Sequence, residues 1–113
     1  VEALRLDRAA LVMIDILNDG LHPDGFYARH GWRTAADFEA NAELMANCER
    51  LVARMHELNR PVVFVRMGFR PDYTDCALSP SWIARGIRGA FIDGTWGADF
   101  MEPLTPEERD YVS

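Results

Sequence analysis

Ala9-Ala10-Leu11-Val12-Met13-Ile14-Asp15-Ile16-Leu17-Asn18-Asp19-Gly20 is the stretch that decides the fold. Its first six residues are apolar without alternation, the pattern of a strand covered on both faces, as in a parallel sheet. The run then stops on a carboxylate. An acid at the carboxyl end of a parallel strand sits where open α/β sheets place their chemistry. Asp15 therefore has two readings: a turn-capping acid held by Asx-type hydrogen bonds, or a general acid or base facing a pocket at the strand ends.

Downstream, residues 19–33 form a loop rich in Gly, His and aromatics. Thr34 with Asp37 three positions on has the spacing of a capping box, which opens a helix running to about Leu58. Phe38, Met45, Cys48, Leu51, Val52, Met55 and Leu58 recur at three- and four-residue intervals and form its apolar stripe. Glu39, Glu43, Glu49, Arg50 and Arg54 fall largely outside that stripe and are expected in solvent. Asn59-Arg60-Pro61 ends the helix, and Val62-Val63-Phe64-Val65-Arg66-Met67 reads as a second strand. Strand, long helix and strand make a βαβ unit with parallel strands and a right-handed crossover. A long irregular segment, 68–101, follows. Within it Ser79 and Pro80 predict a short helix ending near Gly86, and Asp110-Tyr111-Val112-Ser113 begins another strand.

The chain is 113 residues long, enough for one domain or part of one. Two and a half strands bury too little surface to stand alone, so a further segment or a partner is expected to cover the sheet. An apolar share of 49% indicates a packed protein, and no apolar run is long enough for a membrane span. The start of the chain lacks the basic and apolar pattern of a secretory signal, so a cytoplasmic location is expected. A net charge of -6 argues against a nucleic-acid partner, which needs a cationic face. All 12 basic residues are arginine, which excludes a lysine catalyst within these residues. Cys48 and Cys76 have neither a disulfide framework nor a zinc spacing.

The stretch 10–19 resembles the opening D-x-Q-N-D-F motif of the isochorismatase-like cysteine hydrolases. Gly94-Thr95-Trp96-Gly97-Ala98, then Leu104-Thr105-Pro106 and Asp110-Tyr111-Val112, is similar to the segment leading that family into its third strand. The resemblance covers nearly all of the chain but only the N-terminal part of the family's domain, so residues 1–113 are read as one N-terminal domain portion. It implies an α/β, Rossmann-like parallel sheet with helices on both faces, six-stranded when whole and present here as two to three strands. It also implies a cysteine nucleophile, an aspartate base and a lysine. The aspartate maps onto Asp15; the lysine is expected a few positions past Ser113 and the cysteine later still. Family members hydrolyse C–N bonds of small amides and ureido compounds, or the vinyl ether of isochorismate. A thiolate made by the aspartate would attack the carbonyl, with backbone amides holding the oxyanion.

Two positions depart from the motif: the family's glutamine is Leu17 and its aromatic is Gly20. Members that bind zinc carry an Asp-x-His after the second strand, whereas this chain has Gly68-Phe69-Arg70-Pro71-Asp72-Tyr73, so no metal and no other cofactor is expected. Asn18, Phe26, Phe69 and Tyr73 are candidates for the wall of a substrate pocket, with Tyr27 and Trp32 beside them. His22 and His30 lie in the loop after Asp15 and are weighed as pocket residues. Trp32, Trp82 and Trp96 are read as loop packing. Cys48 lies on the helix stripe and is read as core, and Cys76 lacks a neighbouring base in sequence. His56 near a helix C-terminus is explained by the helix dipole. The 86–89 stretch lacks a phosphate-loop pattern, and the first strand lacks the Gly-x-Gly-x-x-Gly turn of a nucleotide-binding fold. The expected partners are a small-molecule substrate and further copies of the chain. A non-catalytic binding or assembly module of the same fold is the alternative.

Overall fold

Leu11–Ile14 forms strand β1, and the computed structural model, which describes residues 3, 5–76 and 86–113, pairs it in parallel with β2, Val62–Val65. The register sets Leu11 against Val62 and Ile14 against Val65. On the other side of β2 lies β3, Tyr111–Val112, again parallel, with Val63 opposite Tyr111. The sheet order is β1-β2-β3. The parallel α/β arrangement expected from the sequence is what forms. The first two strands are shorter than their apolar runs. Leu6–Arg8 makes a 3-10 turn ahead of β1, and Asp15 leaves the extended region at φ 57.

Two short helices, α1 (Asn18–Leu21) and α2 (Phe26–Arg29), fold the loop after β1, and α3, Ala35–Glu57, makes the crossover to β2. Its N-terminus is the expected capping box: Thr34 Oγ1 accepts from the Asp37 N–H, and an Asp37 carboxylate oxygen accepts from the Thr34 N–H at 2.6 Å. Asn59, at φ 51, and Pro61 stop it. Met45, Cys48 and Met55 point from α3 into the first core, where they meet Met13, Ile16, Val62, Phe64 and Leu104. Val52 packs on the same core, but Leu51, read as part of the stripe, is exposed. At about 100° per residue, Leu51 lies roughly 80° round the helix from the centre of the buried line. Leu44, seven positions earlier, shares that flank and is also exposed.

The segment from 86 to 110 contributes only single bridges: Phe69 to Ile92, parallel, and Leu17 to Phe100, antiparallel. A second core of Leu17, Phe26, Ile87, Ala90 and Phe91 ties it to α1 and α2. Phe100 packs on both cores. The short helix expected at Ser79 and Pro80 lies outside the described residues, as does Trp82. Among the described residues no helix is long and apolar enough to cross a membrane.

The sheet's two faces differ. Met13 and Phe64 are buried under α3, while Val12, Ile14 and Tyr111 on the opposite face are 51%, 60% and 62% exposed. Val63 and Val65 lie half-buried between them. Among the described residues nothing covers this row.

Candidate active site

Asp15 is the first residue past β1, and its N–H donates to the Val65 carbonyl at 2.9 Å, which anchors it to the end of the neighbouring strand. Its left-handed backbone turns the chain off the sheet, a conformation that aspartate tolerates better than most non-glycine residues. The side chain is exposed and accepts no hydrogen bond from any described residue. A carboxylate so held has all its lone pairs available to an incoming proton donor. That is the geometry a general base requires.

Tyr27 stands within electrostatic reach of it. Burial pushes the Tyr27 phenol above its ordinary pKa, the Arg33 guanidinium pulls it back, and the Asp15 and Asp19 carboxylates add to the rise. Arg33 lies over the Tyr27 ring at 5.4 Å, and the ring meets Phe91 edge-on at 5.6 Å. In the sequence Tyr27 was one aromatic among several; only folding of α2 shows that it shares Asp15's field.

Asp19 organises the loops around this position. It is 3% exposed, yet no cation lies beside it among the described residues. Instead Oδ1 accepts from the Phe26 N–H at 3.0 Å and Oδ2 from the Phe91 N–H at 2.7 Å. One carboxylate thus binds α2 to the 86–97 segment. Gly97 passes so close that a Cβ there would collide with the carboxylate, which explains why glycine occupies it. Asn18 is equally buried, its N–H donating to the Asp99 carbonyl at 3.1 Å and its Nδ2 to the Trp96 carbonyl at 2.8 Å. The paired Asn18-Asp19 therefore hold two backbone segments against α1. Sequence pattern alone does not reveal such a role, because all the partners except the Phe26 N–H are main-chain groups more than 70 residues away.

The structure brings three of the proposed pocket residues together and sets the fourth apart. Phe26 is buried, stacked on His30 at 3.8 Å and packed against the second core. Phe69 is half-buried, its backbone bonded to Phe91 and Asp93, and its ring lies 5.5 Å from that of Tyr73. Tyr73 is buried; its hydroxyl donates towards the Ala90 and Ile87 carbonyls and accepts from the Gly89 N–H at 2.8 Å. Burial raises the Tyr73 phenol's pKa, so it stays a hydroxyl that can make these bonds. Phe26, Phe69 and Tyr73 converge on the turn at 86–91, and Asn18 faces the 96–99 segment.

The two departures from the family motif have local explanations. Leu17 is fully buried in the second core. The space beside Gly20 is filled by the Phe91 ring, 3.7 Å from where a Cβ would lie. Phe91 supplies from another loop the bulk that position 20 lacks.

Cys48 is buried on the inner face of α3, and burial pushes its thiol's pKa up, against thiolate formation. Cys76 is half-buried and bonds through its backbone N–H to the Tyr73 carbonyl. His30 Nδ1 lies 2.9 Å from the Phe26 carbonyl, and His22 meets Trp96 edge-on. His56 bonds Asp110 at 2.6 Å, joining the end of α3 to the approach to β3, a contact beyond the helix-dipole reading. Among the described residues no three His, Cys, Asp or Glu side chains gather as a metal would need.

A family model described as the Isochorismatase domain matches residues 9–113. Among solved structures, the crystal structure of N-carbamoylsarcosine amidase from Thermoplasma acidophilum is similar to this chain, with a TM-score of 0.64 at 22% sequence identity. The match covers 91% of this chain and 49% of that one, so these 113 residues span about half the neighbour's length. No curated protein matches the sequence.

Proposed function

The chain belongs to the isochorismatase family, and from that premise we propose that it carries the aspartate of a hydrolase that cleaves a C–N bond in a small amide or ureido substrate. The observation that carries this reading is Asp15: a carboxylate at the carboxyl end of β1, exposed, with no partner among the described residues. The similar solved structure is an N-carbamoylsarcosine amidase, and this favours the amide and ureido class over a vinyl ether.

In this mechanism Asp15 takes the proton of a cysteine thiol, and the thiolate sulfur attacks the substrate carbonyl carbon. The C–N bond breaks as Asp15 returns its proton to the departing nitrogen. Water then adds to the thioester, again giving a proton to Asp15, and thiolate leaves. The nucleophile and its lysine partner are supplied from outside these 113 residues. Cys48 is unsuited because its thiol is buried and its pKa raised, and the sequence contains no lysine. Backbone N–H groups hold the oxyanion. The reading further includes a small-molecule substrate and association of like chains over the open sheet face, with no nucleic-acid partner.

The test is Asp15→Asn in the full-length protein, assayed for ammonia or amine release from a panel of N-carbamoyl amino acids and simple amides. Removing a positioned acid or base is expected to lower kcat by about two to four orders of magnitude while the thermal midpoint holds. Turnover equal to wild type would remove Asp15 from the chemistry.

A further inference from the structure

Tyr27 and Arg33 stand together at the end of the sheet that carries Asp15. Leu17, just past Asp15 in the chain, belongs to the second core, and Met67, just past the Val65 that anchors Asp15, packs against it. That core therefore sits over the carboxyl ends of β1 and β2, and Tyr27 packs on it as well. The Tyr27 ring is held by Phe91 at 5.6 Å, Trp32 at 5.3 Å and the Arg33 guanidinium at 5.4 Å. Arg33 is fixed in turn through Nε, which donates to the Gly20 carbonyl at 3.1 Å.

The neighbouring charges are committed elsewhere. Asp19 accepts from the Phe26 and Phe91 N–H groups, and Arg66, next to Val65 at the end of β2, pairs with Asp93. Asp37 feels the charge of Arg33, but its carboxylate is held by the Thr34 N–H and hydroxyl. Arg33 itself is half-buried and forms no ion pair with any described residue. The Tyr27 hydroxyl, on another half-buried residue, makes no hydrogen bond with any described residue. Burial is the main cause of the rise in its pKa; Arg33 opposes that rise and Asp15 adds to it, so the phenol lies within reach of both charges.

We propose that Tyr27 and Arg33 bind a carboxylate carried by the substrate, so that the molecule cleaved at Asp15 is an anionic ureido compound or amide. This rests on the hydrolysis proposed above and narrows its substrate class. A guanidinium has N–H donors and no acceptor, and a protonated phenol beside it adds an O–H, so the two together suit an anion. With Nε taken by Gly20, the terminal nitrogens of Arg33 remain for the carboxylate oxygens, a charge-assisted contact. An anion approaching Asp15 and Asp19 would otherwise meet two like charges, which the guanidinium offsets.

The probes are N-carbamoylglycine and isobutylurea, in which an isopropyl group replaces the carboxylate. Ammonia release by the full-length protein gives kcat/KM for each, and calorimetric titration in the Asp15→Asn background gives Kd without turnover. Wild type is expected to prefer N-carbamoylglycine by both readouts. Arg33→Gln should lower that preference at least about tenfold, and Tyr27→Phe, which removes only the hydroxyl, should lower it in the same direction. Arg33→Lys, which keeps the charge and loses the fork, should fall between wild type and Arg33→Gln. A merely structural role would weaken both ligands alike and leave the ratio unchanged. If Arg33→Gln fails to fold, Arg33→Lys and Tyr27→Phe carry the same reading. No preference for N-carbamoylglycine in wild type, or a preference that the substitutions leave intact, would overturn the proposal. Preferential binding of N-carbamoylglycine that depends on Arg33, without turnover of either compound, would uphold the carboxylate site and count against the hydrolase reading instead.

Discussion

Asp15 and Asp19 lie four residues apart and have opposite surroundings. Asp15 is exposed and its side chain has no partner among the described residues; Asp19 is buried between two backbone N–H groups. The first suits proton transfer and the second suits support. Asp19→Ala strands the Phe26 and Phe91 N–H groups in the interior, and each orphaned donor costs about 1–3 kcal/mol. A drop of about 2–5 kcal/mol in unfolding free energy is therefore expected by denaturant titration of the full-length protein, against almost none for Asp15→Asn. Gly97→Ala acts on the same carboxylate by collision and is expected to destabilise to a similar degree. The place of Asp15 at the end of β1 was legible in the sequence because it ends a hydrophobic run. The distribution of roles over Asn18, Phe26, Phe69 and Tyr73 was not, because each depends on backbone groups brought in from distant segments.

At the scale of elements, α3 is the part that local rules specify most completely. Its capping box, its buried line through Met45, Cys48 and Met55, and its stop at Asn59 and Pro61 all follow from residues a few positions apart. Thr34→Ala is expected to lower stability by about 1 kcal/mol. The Thr34 N–H and hydroxyl hold the Asp37 carboxyl below its ordinary pKa. A carboxyl whose folded pKa is depressed stabilises the fold above its unfolded pKa, and that contribution fades as pH falls through the folded value. Asp37→Asn should therefore lower the thermal midpoint at neutral pH, with the difference from wild type closing once both values are passed on acidification. The segment 86–110 was far less legible. It has glycine turns, single bridges and a buried carboxylate in place of periodicity, so only tertiary contact defines it. Leu51 was misplaced for a related reason: three- and four-residue spacing admits residues on the flank of a stripe as readily as those at its centre.

For the molecule as a whole, the asymmetry of the sheet is the governing feature. One face is sealed by α3; the other shows Val12, Ile14 and Tyr111 to solvent. The Cα radius of gyration, 15.8 Å, exceeds the roughly 13 Å of a closed globule of this length. Exposed contiguous apolar rows mark surfaces that are covered in the working protein. Ile14→Glu in the full-length protein is accordingly expected to cost several kcal/mol or prevent soluble expression, as burying an unpaired charge does, whereas Leu51→Glu on the flank of α3 should be nearly silent. Equal tolerance of the two, read by soluble yield and thermal midpoint, would show that the face stays open. The parallel order and the crossover were legible from the βαβ pattern, while the face left bare was not, since a continuous apolar run does not say which side its own helix will cover.

The most direct test of the account is the intact mass of the full-length protein during turnover of an N-carbamoyl amino acid or small amide, followed by peptide mapping of any adduct. The account predicts a covalent acyl or carbamoyl adduct on a cysteine outside residues 1–113, formed by wild type and lost or greatly slowed in Asp15→Asn. An adduct on Cys48 or Cys76, or one that forms at the wild-type rate without the Asp15 carboxylate, would contradict it.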